Sequence, residues 1–113
     1  MIRVILYYLG YLRITDFGVA KYHQKENSSE TSGTPGYMAP EVMCAQNHSY
    51  PVDYFAVGVI AYEFMLGVRP YLGKSRKEIK ELILSKQAQV KATDIPYEWS
   101  EESADFINKV ILL

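Results

Sequence analysis

Ser32-Gly33-Thr34-Pro35-Gly36-Tyr37-Met38-Ala39-Pro40-Glu41 is the stretch on which the reading of this chain turns, with Asp16-Phe17-Gly18 standing ahead of it. Pro35, Gly36 and Pro40 keep the stretch irregular until residues 41–45 can make a short helical turn. Just upstream, residues 21–33 are polar and show no apolar periodicity after Tyr22, which predicts a mobile loop. Further back, Val4-Ile5-Leu6 and Leu12-Arg13-Ile14-Thr15 read as two short strands joined through Gly10, a β-hairpin.

Downstream of Glu41 the pattern becomes helical. In residues 54–66 every side chain is apolar or absent except Glu63, and Gly67 stops the run. An all-round apolar helix of that length is predicted to be a buried core helix, because a membrane span needs about 20 residues. Ser75-Arg76-Lys77-Glu78 has the form of a capping box, in which the Ser oxygen and the Glu carboxylate satisfy first-turn N–H groups. Ile79, Leu82 and Ile83 then supply one apolar stripe for a helix over residues 75–86. Ser100 caps a last helix, over 100–113, with Glu101 and Glu102 in its first turn and Phe106, Ile107, Val110 and Ile111 as its buried face.

Composition narrows the function classes. With 113 residues, 49% apolar and 22% charged, the chain has the make-up of one small globular domain. A net charge of −1 argues against nucleic acid as a bulk electrostatic partner. Charge is nevertheless uneven: residues 74–91 carry six basic and two acidic side chains, and residues 92–113 five acidic and one basic. Two solvated helix faces of opposite sign explain this. The single cysteine, Cys44, excludes an internal disulfide and suits a reducing cytosol; among Val42, Met43 and Ala45 it reads as a small buried residue. The apolar run 4–12 lacks a small-x-small cleavage site and is too short to span a bilayer, so it reads as strand. A signal-anchored peptide is the outside alternative. The sequons at Asn27 and Asn47 are then chance matches, and the expected location is cytoplasmic, with no membrane partner.

Asp16-Phe17-Gly18, then Gly33-Thr34-Pro35-x-Tyr37-x-Ala39-Pro40-Glu41, then Asp53 opening the hydrophobic helix with Gly58 five residues on, together resemble the activation segment and C-terminal lobe of eukaryotic protein kinases. The resemblance runs from Gly10 to Leu113 and so covers nearly all of the chain, which it implies is a partial kinase domain over 1–113. It implies a mainly α fold with a short β-hairpin, an α+β C-lobe truncated at both ends. Residues 37–42 and the segment Arg69-Pro70-Tyr71-Leu72-Gly73 before a basic helix are similar to the AGC group of serine/threonine kinases.

The resemblance also implies roles. Asp16 would hold Mg²⁺ against the phosphates of ATP, a task that suits a hard carboxylate oxygen, with Thr15 beside the nucleotide. Phe17 corresponds to an aromatic plug and Gly18 to the hinge that lets the backbone swing. Thr34 corresponds to the residue that bonds the catalytic Asp, and Pro35, Gly36, Tyr37 and Met38 to the groove for the residue after the phosphoacceptor. Glu41 corresponds to the partner of an Arg beyond the last helix; without it, the carboxylate is expected to turn to solvent. Asp53 would orient the catalytic loop, and Ile60 and Phe64 would be apolar posts on which two lobes align. Glu63 corresponds to a residue that pairs with a substrate arginine; the competing reading is an ordinary helix-face Glu, but its isolation in an apolar helix favours the functional one.

Departures from the family bear on activity. Glu30 stands where the family carries its activating phospho-Thr, and Lys21 matches the basic residue that contacts that phosphate. A fixed Lys21–Glu30 pair and phosphorylation of Ser29 or Thr31 are equal alternatives. Counting back from Gly10, Arg3 stands where the catalytic-loop Asn is expected, and the catalytic Asp falls before Met1. Since phosphoryl transfer depends on positioning and charge stabilisation, the 113 residues alone, with no Gly-rich loop, strand Lys, catalytic Asp or Asn, are expected neither to transfer phosphate nor to hold ATP and Mg²⁺ well. The rival class is a non-catalytic kinase-like module that docks partners on helix 75–86.

Overall fold

The structure, a computed structural model, describes residues 3–6, 10–22 and 31–112. The hairpin forms as read: β1 (Arg3–Leu6) pairs antiparallel with β2 (Leu12–Thr15), placing Arg3 opposite Thr15 and Leu6 opposite Leu12. Gly10 lies in the connection with φ +80°, a left-handed backbone that a Cβ disfavours. None of the side chains described between 10 and 22 is buried.

The remaining chain is helical. After a short 3₁₀ turn at Pro35–Tyr37 come α1 (Pro40–Met43), α2 (Pro51–Leu66), α3 (Arg76–Ser85) and α4 (Glu101–Ile111). Prolines open α1 and α2 at the position where a helix needs no N–H donor. Gly67 closes α2 at φ +72°, its N–H donating to Glu63 O at 2.8 Å. Ser75 and Ser100 cap α3 and α4, accepting from the N–H of Glu78 at 3.2 Å and of Ser103 at 3.3 Å. The Glu78 carboxylate reaches one residue further back than a capping box requires and accepts from Lys74 N at 2.7 Å.

The core is built where α4 lies on α2. Val59 of α2 and Ile107 of α4 are 0% and 1% exposed, joined by Phe55, Met65, Ala104 and Ile111. Met38, Val42 and Met43 enter from the 31–43 segment, and Ile79 and Ile83 from α3, with Leu82 partly buried beside them. Gly58 allows the close approach: a Cβ there would stand 2.7 Å from Ile111 Cγ1 and 3.1 Å from its backbone nitrogen. Tyr71 is buried after α2, stacked on Phe55 with ring centroids 6.4 Å apart, and its hydroxyl accepts from Ala88 N at 3.1 Å. Asn108 fastens the segment after α3 to α4, accepting from Val90 N at 2.7 Å and donating to Val90 O at 3.0 Å.

Three packing expectations need correction. The helix over 54–66 is not buried all round, because α4 and the 31–43 segment cover one side while Tyr54, Val57 and Phe64 remain exposed. Phe106 leaves the buried face of α4, and Ala104 takes its place beside Ile107, Val110 and Ile111. At a 100° step per residue, 104, 107, 110 and 111 lie on one stripe and 106 falls outside it. Cys44 is half-buried, since it caps α1 rather than lying within it.

Candidate functional site

The 34–41 segment is held over α2 by its own turns. Tyr37 N donates to Thr34 O at 3.0 Å and Met38 N to Pro35 O at 3.3 Å, a tight bend that sinks Gly36, Met38 and Ala39. Thr34 stays exposed and Pro35 half-buried at its start. The bend aims Tyr37 at α2, where its hydroxyl donates to Glu63 Oε2 at 2.6 Å across 26 residues of sequence. That bond to Glu63, then burial, holds the Tyr37 phenol above its ordinary value.

Arg69, two residues past the glycine that ends α2, completes a cluster that the sequence reading missed. Its guanidinium carbon lies 5.5 Å from the Tyr37 ring centroid, and its Nε is 3.9 Å from Glu63 Oε1. A Cβ on Gly36 would come within 2.5 Å of Arg69 Nη1, so the guanidinium lies directly against the Gly36 backbone. Glu63 therefore has one oxygen on a tyrosine hydroxyl and the other facing an arginine. The usable signal in the sequence was a cation just beyond the stop of a helix whose last two turns hold a single acid, Glu63.

Asp16 has a left-handed backbone, φ 60° and ψ 65°, immediately before the 3₁₀ turn Phe17–Val19. Such a conformation is uncommon for a residue with a Cβ, although Asp adopts it more readily than most, and it concentrates at functional positions. Thr15 is half-buried, while Asp16, Phe17, Gly18 and Lys21 are exposed, and Phe17 plugs nothing within the described structure. Glu30 lies outside the described residues, and with it the expected Lys21–Glu30 pair; Thr31 is exposed. Glu41 is half-buried in the first turn of α1 and makes no ion pair among the described residues. No buried side-chain oxygen there lacks a partner, so its carboxylate keeps water.

Asp53 sits half-buried in the first turn of α2 and lines a shallow open hollow with Tyr50, Tyr54 and Val57. Ile60 is half-buried and Phe64 is 73% exposed, on the side of α2 away from Val59. Among the described residues, no three His, Cys, Asp or Glu side chains converge as a metal-ligand set. The chemistry of Asp16 alone still fits Mg²⁺, which commonly takes one or two carboxylates and completes its shell with phosphates and water.

The protein kinase domain profile matches residues 4–112. The chain belongs to the protein kinase family. Relatives include serine/threonine-protein kinase ULK3 of Xenopus laevis, 41% identical over 76 residues, or 66% of this chain and 16% of that protein. Human ribosomal protein S6 kinase alpha-1 is 44% identical over 78 residues, 66% of this chain and 10% of that protein. A cAMP-dependent protein kinase, catalytic subunit-like, of Caenorhabditis elegans is 30% identical over 102 residues, 90% of this chain and 24% of that protein. The chain thus spans less than a quarter of the length of these kinases. Its mainly helical fold with one small hairpin is that of a kinase C-lobe fragment. Among the described residues no helix is long and apolar enough to cross a membrane.

Proposed function

We propose that these 113 residues form the activation segment and part of the C-lobe of a cytosolic serine/threonine kinase with AGC-like features, whose whole protein transfers the γ-phosphate of Mg·ATP to Ser or Thr of protein substrates. The observation that carries this is the seating of the 34–41 segment on α2 through the 2.6 Å Tyr37–Glu63 bond, which brings two half-buried side chains together at one surface while Gly36 is buried in the bend. On this reading Asp16 binds Mg²⁺, Thr15 lies beside the nucleotide, and Thr34 to Tyr37 meet the residue after the acceptor. Glu63 supplies a carboxylate for an arginine near the acceptor, and Asp53, Gly58, Ile60 and Phe64 are structural. When bound, Mg²⁺ supplies charge neutralisation on the phosphates. The catalytic Asp and Asn, the Gly-rich loop and the strand Lys are not among the 113 residues, and alone the chain is inactive.

The second reading is a non-catalytic docking module. It is favoured by α3, which buries Ile79 and Ile83 and leaves Arg76, Lys77 and Leu84 exposed along one helix. One experiment separates the two. The native product is captured with an antibody against residues 74–91, its intact mass is measured, and it is supplied with Mg·ATP and Ser/Thr peptides. A mass several times 12.9 kDa with phosphotransfer supports the kinase reading. A mass near 12.9 kDa without phosphotransfer overturns it in favour of the docking module.

A further inference from the structure

The carboxylate assigned to a substrate arginine already has a guanidinium beside it, and that guanidinium belongs to the same chain. Arg69 is bracketed on three sides by Gly36 backbone, the Tyr37 ring and Glu63, three residues of the substrate surface proposed above. A carboxylate and an aromatic face are the two elements that recognise an arginine side chain. We infer that Arg69 is the resident guanidinium of the Glu63 site and competes there with a substrate arginine, lowering the preference of this protein for arginine-bearing substrates.

Two features make this an exchangeable occupant and not a fixed strut. The Nε–Oε1 separation is 3.9 Å, longer than a bidentate arginine–carboxylate fork, so Glu63 Oε1 can take a closer donor. Both side chains are about one-third exposed, at 32% and 35%, so the pair is solvent-screened and weak. Tyr37 holds only Oε2, which leaves Oε1 as the oxygen over which the two guanidinium groups compete. A screened ion pair together with one cation–π contact corresponds to about a 10-fold handicap for the incoming arginine.

The inference rests on the reading of Glu63 as a substrate-facing acid, and it is tested without relying on catalysis. The full chain, as wild type and as Arg69→Ala, Arg69→Lys and Arg69→Ala/Glu63→Gln variants, is titrated with N-acetyl-arginine amide, with N-acetyl-lysine amide as control. Retained helical circular dichroism establishes that each variant is folded. Arg69→Ala is expected to bind the arginine amide about 10-fold more tightly than wild type. The Glu63→Gln change should remove that gain, and the lysine amide should show none. Arg69→Lys, which keeps the charge without the planar fork, should fall between wild type and Arg69→Ala. Equal binding by wild type and Arg69→Ala, or binding by neither, overturns the inference. In parallel, the native kinase-sized product and its Arg69→Ala form are given Ser/Thr peptides with and without arginine. Absence of phosphate transfer from both would overturn the kinase reading, while the amide titration would still decide the role of Arg69.

Discussion

The two sides of α2 are made of the same kinds of residue and have opposite fates. Phe55, Val59 and Met65 are buried against α4 and its neighbours, whereas Tyr54, Val57 and Phe64 face water at 53%, 39% and 73% exposure. Apolar composition states which residues are able to be buried; a partner decides which ones are. That partner is α4, brought close because Gly58 presents no side chain to Ile111. Stability in this fold should therefore be sharply one-sided along a helix whose sequence is uniform.

The largest effect expected from that contrast comes from a pair of truncations. Ile107→Ala empties a position that is 1% exposed at the centre of the α2–α4 contact. It should cost about 2–5 kcal/mol in chemical denaturation, from lost transfer energy plus the cavity left behind. Phe64→Ala removes more atoms from the open side and should change stability by no more than about 0.5 kcal/mol. Comparable losses for the two would mean that the exposed face is covered in solution, and the contrast would collapse.

A smaller effect tests the reason for the contact. Gly58→Ala gains about 1 kcal/mol of helix propensity. The added methyl, however, meets Ile111 Cγ1 at 2.7 Å, Ile111 N at 3.1 Å and Val110 C at 3.3 Å, and two of these three atoms are backbone. Side-chain rotation cannot relieve a backbone clash, so overpacking should win and leave the variant about 1–2 kcal/mol less stable. A Gly58→Ala protein that melts higher than wild type would show that α4 can slide and that the glycine is not what sets the approach.

The same contrast explains what could be read in advance. Element positions were legible where they are written locally: the Gly10 turn, Gly67 closing α2, and the serine caps of α3 and α4. The family motifs were legible because they are contiguous. What stayed hidden depends on which element lies against which. Phe106 was assigned to the core because it is apolar, yet the stripe facing α2 runs through Ala104 and Ile107. Asn108 looks like any polar helix residue until its two bonds to Val90 are seen. Arg69 was legible as part of a family-like segment, but its approach to Glu63 depends on how the chain turns after Gly67.

The smallest effect lies on α2 at Glu63, between its two faces. The Tyr37–Glu63 bond favours the neutral phenol, so the folded-state pKa of Tyr37 lies above the value of about 10 that it has when unfolded. A raised pKa means that the contribution is fully present below the unfolded value and is lost as pH climbs through the folded one. Stability from this group should therefore be flat across neutral pH and decline only in the alkaline range. Burial raises Tyr62 as well, so spectrophotometric titration near 295 nm should show a late tyrosine transition with two components, of which Tyr37→Phe removes one and Glu63→Gln shifts that same one downward. At neutral pH Glu63→Gln should cost only about 0.5–1 kcal/mol, because the pair is part-exposed and a glutamine oxygen still accepts from the phenol. If the component that Tyr37→Phe removes is unchanged by Glu63→Gln, burial and not the hydrogen bond holds Tyr37 up, and the seating of the 34–41 segment on α2 is owed to packing alone.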